Sequence, residues 1–222
     1  MGELTLLQKQ VLKLFAKSSL RKDFYWTGGT LLSFLYLHHR KSQDLDFFSD
    51  KPFNYNEVIA FIGGLKKQLN LPKVEEKKIF DRWEFFLHNK GKLRLEFVLY
   101  EHPKLKPRKK WKEIWIDSLD DIAANKLMAF FDRNDPKDLV DLYFLLTEKK
   151  YKIKHLLKLM GKKFGVEIPE SAVWSEAYKG MDELDNLRPL LSGTKSEKQK
   201  LLREIKDYFS NHSSEYLRKI LK

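Results

Sequence analysis

Apolar residues recur at Leu4, Leu7, Val11 and Leu14, the spacing of one helix face, and predict an amphipathic helix over residues 3–20. Phe24 to Thr27 is a short apolar run that predicts a buried strand feeding directly into Gly28-Gly29. Thr30 is placed to cap a helix that continues to about His38 through the apolar stretch Leu31 to Leu37. His38 to Ser42 makes a basic connection, and Gln43 to Phe48 alternates as a strand. Asn54 or Asn56 caps the next predicted helix, which reaches about Asn70 with Gly63-Gly64 as a weak or closely packed point.

The period then changes. Lys73–Ile79, Arg82–His88 and Lys92–Tyr100 are β-rich runs, with Asn89-Lys90-Gly91 as a turn between the last two. Glu113 to Ile116 adds an edge strand. From Ser118 onward the spacing is helical, at roughly 119–132, 137–148, 151–164, 169–180, 195–210 and 213–221. Asp135-Pro136 separates the first two of these, since proline suits a helix start. The pattern predicts an α/β first half, residues 1–117, and a helical second half, residues 118–222.

Composition narrows the class. The 222 residues, 42% apolar and 14% aromatic, support a packed core and exclude wholesale disorder. The absence of cysteine excludes disulfides and thiolate metal sites and fits a reducing compartment. No apolar run reaches membrane-spanning length, and Lys9, Lys13 and Lys17 fall inside an amphipathic pattern unlike a signal peptide, so a soluble cytoplasmic protein without membrane contact is expected. The six histidines show no zinc spacing. A net charge of +12 favours polyanionic partners, RNA foremost. The densest basic cluster is Lys104, Lys106, Arg108, Lys109, Lys110 and Lys112, with Trp111 embedded as a ring for stacking a base or for an interface. A second basic set runs from Lys195 to Lys222 and reads equally well as the solvated face of a helix.

Candidate chemistry centres on Asp44 and Asp46. Residues two apart on a strand share a face, so both carboxylates aim at one point while Leu45 and Phe47 enter the core. Two like charges so placed call for a cation between them. Glu96 alternates with Leu95 and Phe97 on a later strand and becomes a third carboxylate if that strand lies beside the first. Gly28 and Gly29 let a backbone approach phosphates, and the helix that follows offers unpaired N–H groups and a positive dipole end.

These parts, in this order, resemble the nucleotidyltransferase fold: an apolar strand, a glycine pair, a helix, a D-x-D strand and a later strand carboxylate. More narrowly, T-G-G-T-L-L-S-F-L-Y-L-H-H-R-K-S-Q-D-L-D-F-F-S (residues 27–49) resembles the AbiEii/AbiGii toxin nucleotidyltransferases. Residues 118–143 resemble that group's K-L-x-A-x-x-x-R followed by K-D-x-x-D-L-Y. The resemblance spans roughly residues 20–150. It implies an α+β fold, with a nucleotidyltransferase catalytic domain of mixed sheet flanked by helices (1–117) and an all-helical domain completing the active-site cleft (118–222).

It further implies a Mg²⁺-dependent enzyme, with two ions, that moves a nucleoside monophosphate from an NTP to an acceptor hydroxyl. The acceptor expected is RNA, such as the 3′ end of tRNA, with the enzyme acting as a toxin restrained by an antitoxin. Asp44, Asp46 and Glu96 would bind the metals, Glu96 standing where the family more often has aspartate. Gly28, Gly29, Thr30, Arg40 and Ser42 would face the nucleotide phosphates. Lys126 would contact phosphates and share catalysis with Asp138, with Arg133 and Asp141 lining the nucleotide site. The residues alone leave other readings open: Asp138 as an ion-pair partner of Arg133, a catalytically inactive RNA- or partner-binding protein, or a metal-dependent nuclease.

Overall fold

The computed structural model describes residues 3–133 and 135–221; Lys222 of the basic C-terminal set lies outside them. The chain divides into two compact units, one running through Leu119 and the other from Asp120. The first is built on a seven-stranded sheet of order β3-β4-β5-β2-β1-β7-β6. Its strands are β1 (Tyr25–Thr27), β2 (Leu45–Ser49), β3 (Lys73–Ile79), β4 (Arg82–His88), β5 (Lys92–Leu99), β6 (Lys109–Trp111) and β7 (Ile114–Ile116). β2 runs parallel to β5 and β1 parallel to β7, while the remaining neighbours are antiparallel, so the sheet is mixed.

Strand alternation sorts the two faces. Trp26, Phe47, Phe85, Leu95 and Phe97 share the core face and are all buried. Helices α1 (Leu6–Phe15) and α3 (Tyr55–Gln68) cover it. Phe15 of α1 stacks on Phe47 at 4.1 Å, and Phe61 of α3 meets Phe97 edge-on at 6.4 Å. The opposite face carries Tyr25, Thr27, Asp46, Phe48, Glu84, Arg94 and Glu96, among them the candidate carboxylates.

Several boundaries differ from the sequence expectation. The first helix stops at Phe15 because the Ser18 hydroxyl donates to the Phe15 carbonyl (2.8 Å), after which Ser19–Lys22 forms a 3₁₀ turn. Thr30 is not a cap: α2 (Gly28–Leu31) starts two residues earlier, behind Thr27, and runs on as a π-helical stretch, Leu32–Leu37, to His38 in left-handed conformation. The strand at Ile114–Ile116 is not at the edge; β6, formed from the basic segment, shields it.

The second unit is helical, with α4 (Leu119–Arg133) opening at the junction, then α5 (Pro136–Thr147), α6 (Ile153–Phe164), α7 (Glu170–Gly180) and α8 (Lys195–Ile220). Asp135 caps α5 through the Lys137 amide, with Pro136 in its first turn. The two helices expected after residue 194 are one. The polar stretch around Ser213 stays helical because Ser213 is buried and donates to the Trp174 carbonyl of α7, while His212 stacks on the Trp174 ring. Lys163 and Asp121, both buried, pair at 2.8 Å and tie α6 to α4. Among the described residues no helix is long and apolar enough to cross a membrane.

Phe47 is fully buried and stacks on both Phe15 and Phe97, so Phe47→Ala should lower the unfolding free energy by about 3–5 kcal/mol. Guanidinium-induced unfolding followed by circular dichroism measures this, with a loss under about 1 kcal/mol counting against a core built on that stack.

Candidate active site

The site begins where β1 ends. Gly28 has φ +79°, a conformation that L side chains adopt only with strain. A Cβ at that position would lie 1.9 Å from Asp46 Oδ2, so only glycine lets the turn rest against the carboxylate. Gly29 follows inside the first helical turn. Thr30 donates to the Asp44 carbonyl while its oxygen accepts from the Ser42 hydroxyl (2.8 Å), fastening the helix to the start of β2. Ser42 is held again where its carbonyl accepts from Gln8 Nε2 at 3.0 Å. Arg40 is buried, its carbonyl taking the Ser33 hydroxyl and its Nη1 donating to the Lys41 carbonyl at 3.1 Å. Thr30, Ser42 and Arg40 thus shape the loop that delivers the aspartates.

Sheet register then assembles a polar row. Thr27 lies opposite Asp46, Asp46 opposite Glu96, and Glu96 opposite Glu84. Directly paired residues share a face, so three acids stand side by side on adjacent strands. Asp46 and Glu96 can share a hydrogen bond once one of them is protonated. Burial, then the charges of Glu96 and Asp44, hold the Asp46 carboxyl well above the ordinary carboxylate range. Thr27 closes the row by donating to Asp117 Oδ2 at 3.0 Å.

Two arginines answer this charge. Arg94, one strand alternation from Glu96, donates through Nη1 to Glu84 (2.9 Å) and through Nη2 to Asp44 Oδ2 (2.8 Å). Arg82 lies 2.7 Å from Glu96 Oε1. As the side chains lie, no group of three or more acidic or histidine residues among those described forms a ready-made metal cage. Asp44 faces Arg94 instead, and Glu96 is shared between Asp46 and Arg82. The donor set nevertheless fits Mg²⁺: it is all hard carboxylate oxygen, and four acids face two arginines.

Glu84, Arg82 and Arg94 complete the site and escape the sequence reading. The signal was the hairpin itself, since a turn centred on Lys90 (φ +47°) sets Glu84 opposite Glu96. The remaining candidates form a separate cluster inside the helical unit. Lys126 Nζ lies 2.9 Å from Asp138 and 2.8 Å from Asp141, both wholly buried, and Arg133 donates twice to Asp138 at 2.7 and 2.9 Å. These ion pairs fasten α4 to α5.

A mixed sheet with a glycine-opened helix set against strand carboxylates is the architecture of a nucleotidyltransferase. The same fold occurs in JHP933 from Helicobacter pylori, with a TM-score of 0.60 and 21% identity over 96% of this chain and 93% of that one. It also occurs in a candidate nucleotidyltransferase of H. pylori, with a TM-score of 0.59 and 22% identity over 95% and 94% of the two chains. An uncharacterized protein of Aquifex aeolicus (strain VF5) is 32% identical over 161 residues, 71% of this chain and 74% of its own length. Residues 10–217 match the family model of the AbiEii nucleotidyl transferase toxins of type IV toxin–antitoxin systems, and the chain belongs to that family.

Two outcomes follow from the geometry around Asp46. Gly28→Ala should push the carboxylate from its place and weaken Mn²⁺ binding, measured calorimetrically, by at least about tenfold, equivalent to about 1.4 kcal/mol. A carboxyl whose folded pKa is raised contributes stability that is present below the ordinary carboxylate range and lost as pH rises through the raised value. In metal-free buffer the wild type should therefore gain stability as pH falls through that window. Asp46→Asn should remove this gain; thermal melts across pH that superimpose for the two proteins would contradict the assignment.

Proposed function

We propose that the chain is a cytoplasmic, Mg²⁺-dependent enzyme that transfers a nucleoside monophosphate from an NTP to a hydroxyl of RNA, with the 3′ end of tRNA as the acceptor to test first, releasing pyrophosphate. It acts as the toxin of a type IV-like toxin–antitoxin or abortive-infection system and is held in check by a cognate antitoxin. The observation that carries the reading is the Gly28 turn packed on Asp46, with Glu96 in register beside it. A glycine turn opening a helix suits a triphosphate, and a bare nuclease has less need of one.

Asp44, Asp46 and Glu96 are the residues that would hold the ions. Divalent cations held by these residues would supply activation of an attacking hydroxyl and neutralisation of the leaving pyrophosphate. The chain's own part is to place and balance charge. Gly28 and Gly29 offer backbone to the phosphates, and Thr30 and Ser42 keep the Asp44 segment against that turn. Arg94 and Arg82 keep the acids from repelling one another, and Glu84 anchors Arg94. In the helical unit, Lys126, Asp138 and Asp141 hold α4 to α5. The Arg133 side chain, 54% exposed, is bound to Asp138.

Incubation with Mg²⁺, each labelled NTP and total tRNA should transfer label to RNA, and Asp46→Ala should cut transfer by about a hundredfold or more, near 3 kcal/mol of barrier. Equal transfer by the variant would remove Asp46 from the site. RNA that shortens without added NTP would replace nucleotidyl transfer by hydrolysis.

A further inference from the structure

Transfer chemistry at Asp46 leaves the basic segment Lys104–Lys112 without a task. The fold divides that segment. Lys109–Trp111 becomes edge strand β6, and the half-buried Trp111 ring packs against Trp26 at 5.4 Å and Phe34 at 5.6 Å. Lys104 and Arg108 turn the other way, into a cavity of about 300 Å³ that they share with Lys22, Tyr25, Asp50 and Trp115.

This cavity sits on the face of the sheet that carries Asp46. Tyr25 is paired with Phe48 and with Trp115, and Thr27, two residues along β1, is paired with Asp46. Two residues of strand span about 7 Å, so the cavity floor begins one alternation away from the carboxylate row.

Its lining is prepared for a flat ring and an anion together. The Arg108 guanidinium lies 3.3 Å above the Tyr25 ring, is held by both oxygens of Asp50, and has Nε 3.5 Å from the buried Asp117. That clamp fixes a charged plane in one orientation, and guanidinium planes stack on bases. Trp115, 40% exposed, offers a second π surface. The lining acids are already engaged, Asp50 by Arg108 and Asp23 by Lys51 at 2.8 Å. Lys22 and Lys104, both exposed, have no ion-pair partner among the described residues and leave the cavity with surplus positive charge.

We propose that this cavity is the acceptor-strand site, seating a nucleotide of single-stranded RNA with its base against Trp115 and Arg108 and its phosphate at Lys22 and Lys104. The assignment of RNA as acceptor rests on the transfer reading above; the binding itself does not require catalysis. An acidic peptide would satisfy the lysines but would leave both π surfaces unused, which is why RNA is favoured.

The test is fluorescence anisotropy with a short 5′-fluorescein single-stranded RNA in EDTA, without NTP. Lys22→Glu combined with Lys104→Glu should weaken binding at least tenfold and reduce the slope of log K against log salt by about one for each phosphate no longer neutralised. Trp115→Leu should weaken it about fivefold or more, the range of one lost base stack, while the salt slope stays unchanged. Calorimetric binding of ATP with Mn²⁺ should be unaltered in both proteins, because neither change touches the Asp46 row. Wild-type RNA affinity in either variant, or competition by poly-glutamate as effective as that by unlabelled RNA, would overturn the proposal. Selective loss of RNA binding in a protein that transfers no nucleotide would uphold the cavity while removing the transfer reading.

Discussion

The first unit is organised around one carboxylate that water barely reaches. Asp46 sits on a central strand, its oxygen so close to Gly28 that a single methyl group would collide with it. A buried carboxylate is costly unless it is paired or protonated. Glu96 and Asp44 add to that cost and favour the protonated form, Arg94 counters the charge nearby, and the glycine turn brings backbone where a side chain would have filled the space. The core face below, with Phe47 between Phe15 and Phe97, makes the strand rigid enough to hold this arrangement.

Charge balance differs between the two units. In the sheet, four acids face two arginines, so negative charge remains that a cation can satisfy. In the helical unit, Lys126 and Arg133 meet Asp138 and Asp141 one for one, and Lys163 meets Asp121. Such a set, with its acids wholly buried, is demanding to disturb. That contrast, rather than the number of acids, sets the sheet carboxylates apart from the helical cluster.

The strong positive charge is likewise not spread evenly in purpose. Lysines on α8 make exposed ion pairs such as Lys219 with Glu215, ordinary for a solvated helix. On the sheet, by contrast, Arg108 is locked between Tyr25, Asp50 and Asp117. A guanidinium so thoroughly fixed is part of a built surface, beside which Lys22 and Lys104 are exposed.

Much of this was legible in the linear order of residues. Alternation placed Asp44 and Asp46 on one strand face, the glycine pair before them announced a turn, and the β-rich runs at 73–99 match observed strands closely, because period-two patterning and turn residues act locally. The sequence alone also brought out Glu96 as a third carboxylate, conditional on its strand lying beside the first. What it did not contain was that adjacency: β2 and β5 are parallel neighbours separated by a hairpin and a helix. Glu84 and Arg94 entered the site only through that pairing. Thr30 was drawn from its expected cap by the Asp44 carbonyl, and Trp111 packs, half-buried, against Trp26 and Phe34. Local chemistry decides which residues carry a function, whereas long-range strand register decides which charges must share one space, and only the folded sheet sets that register.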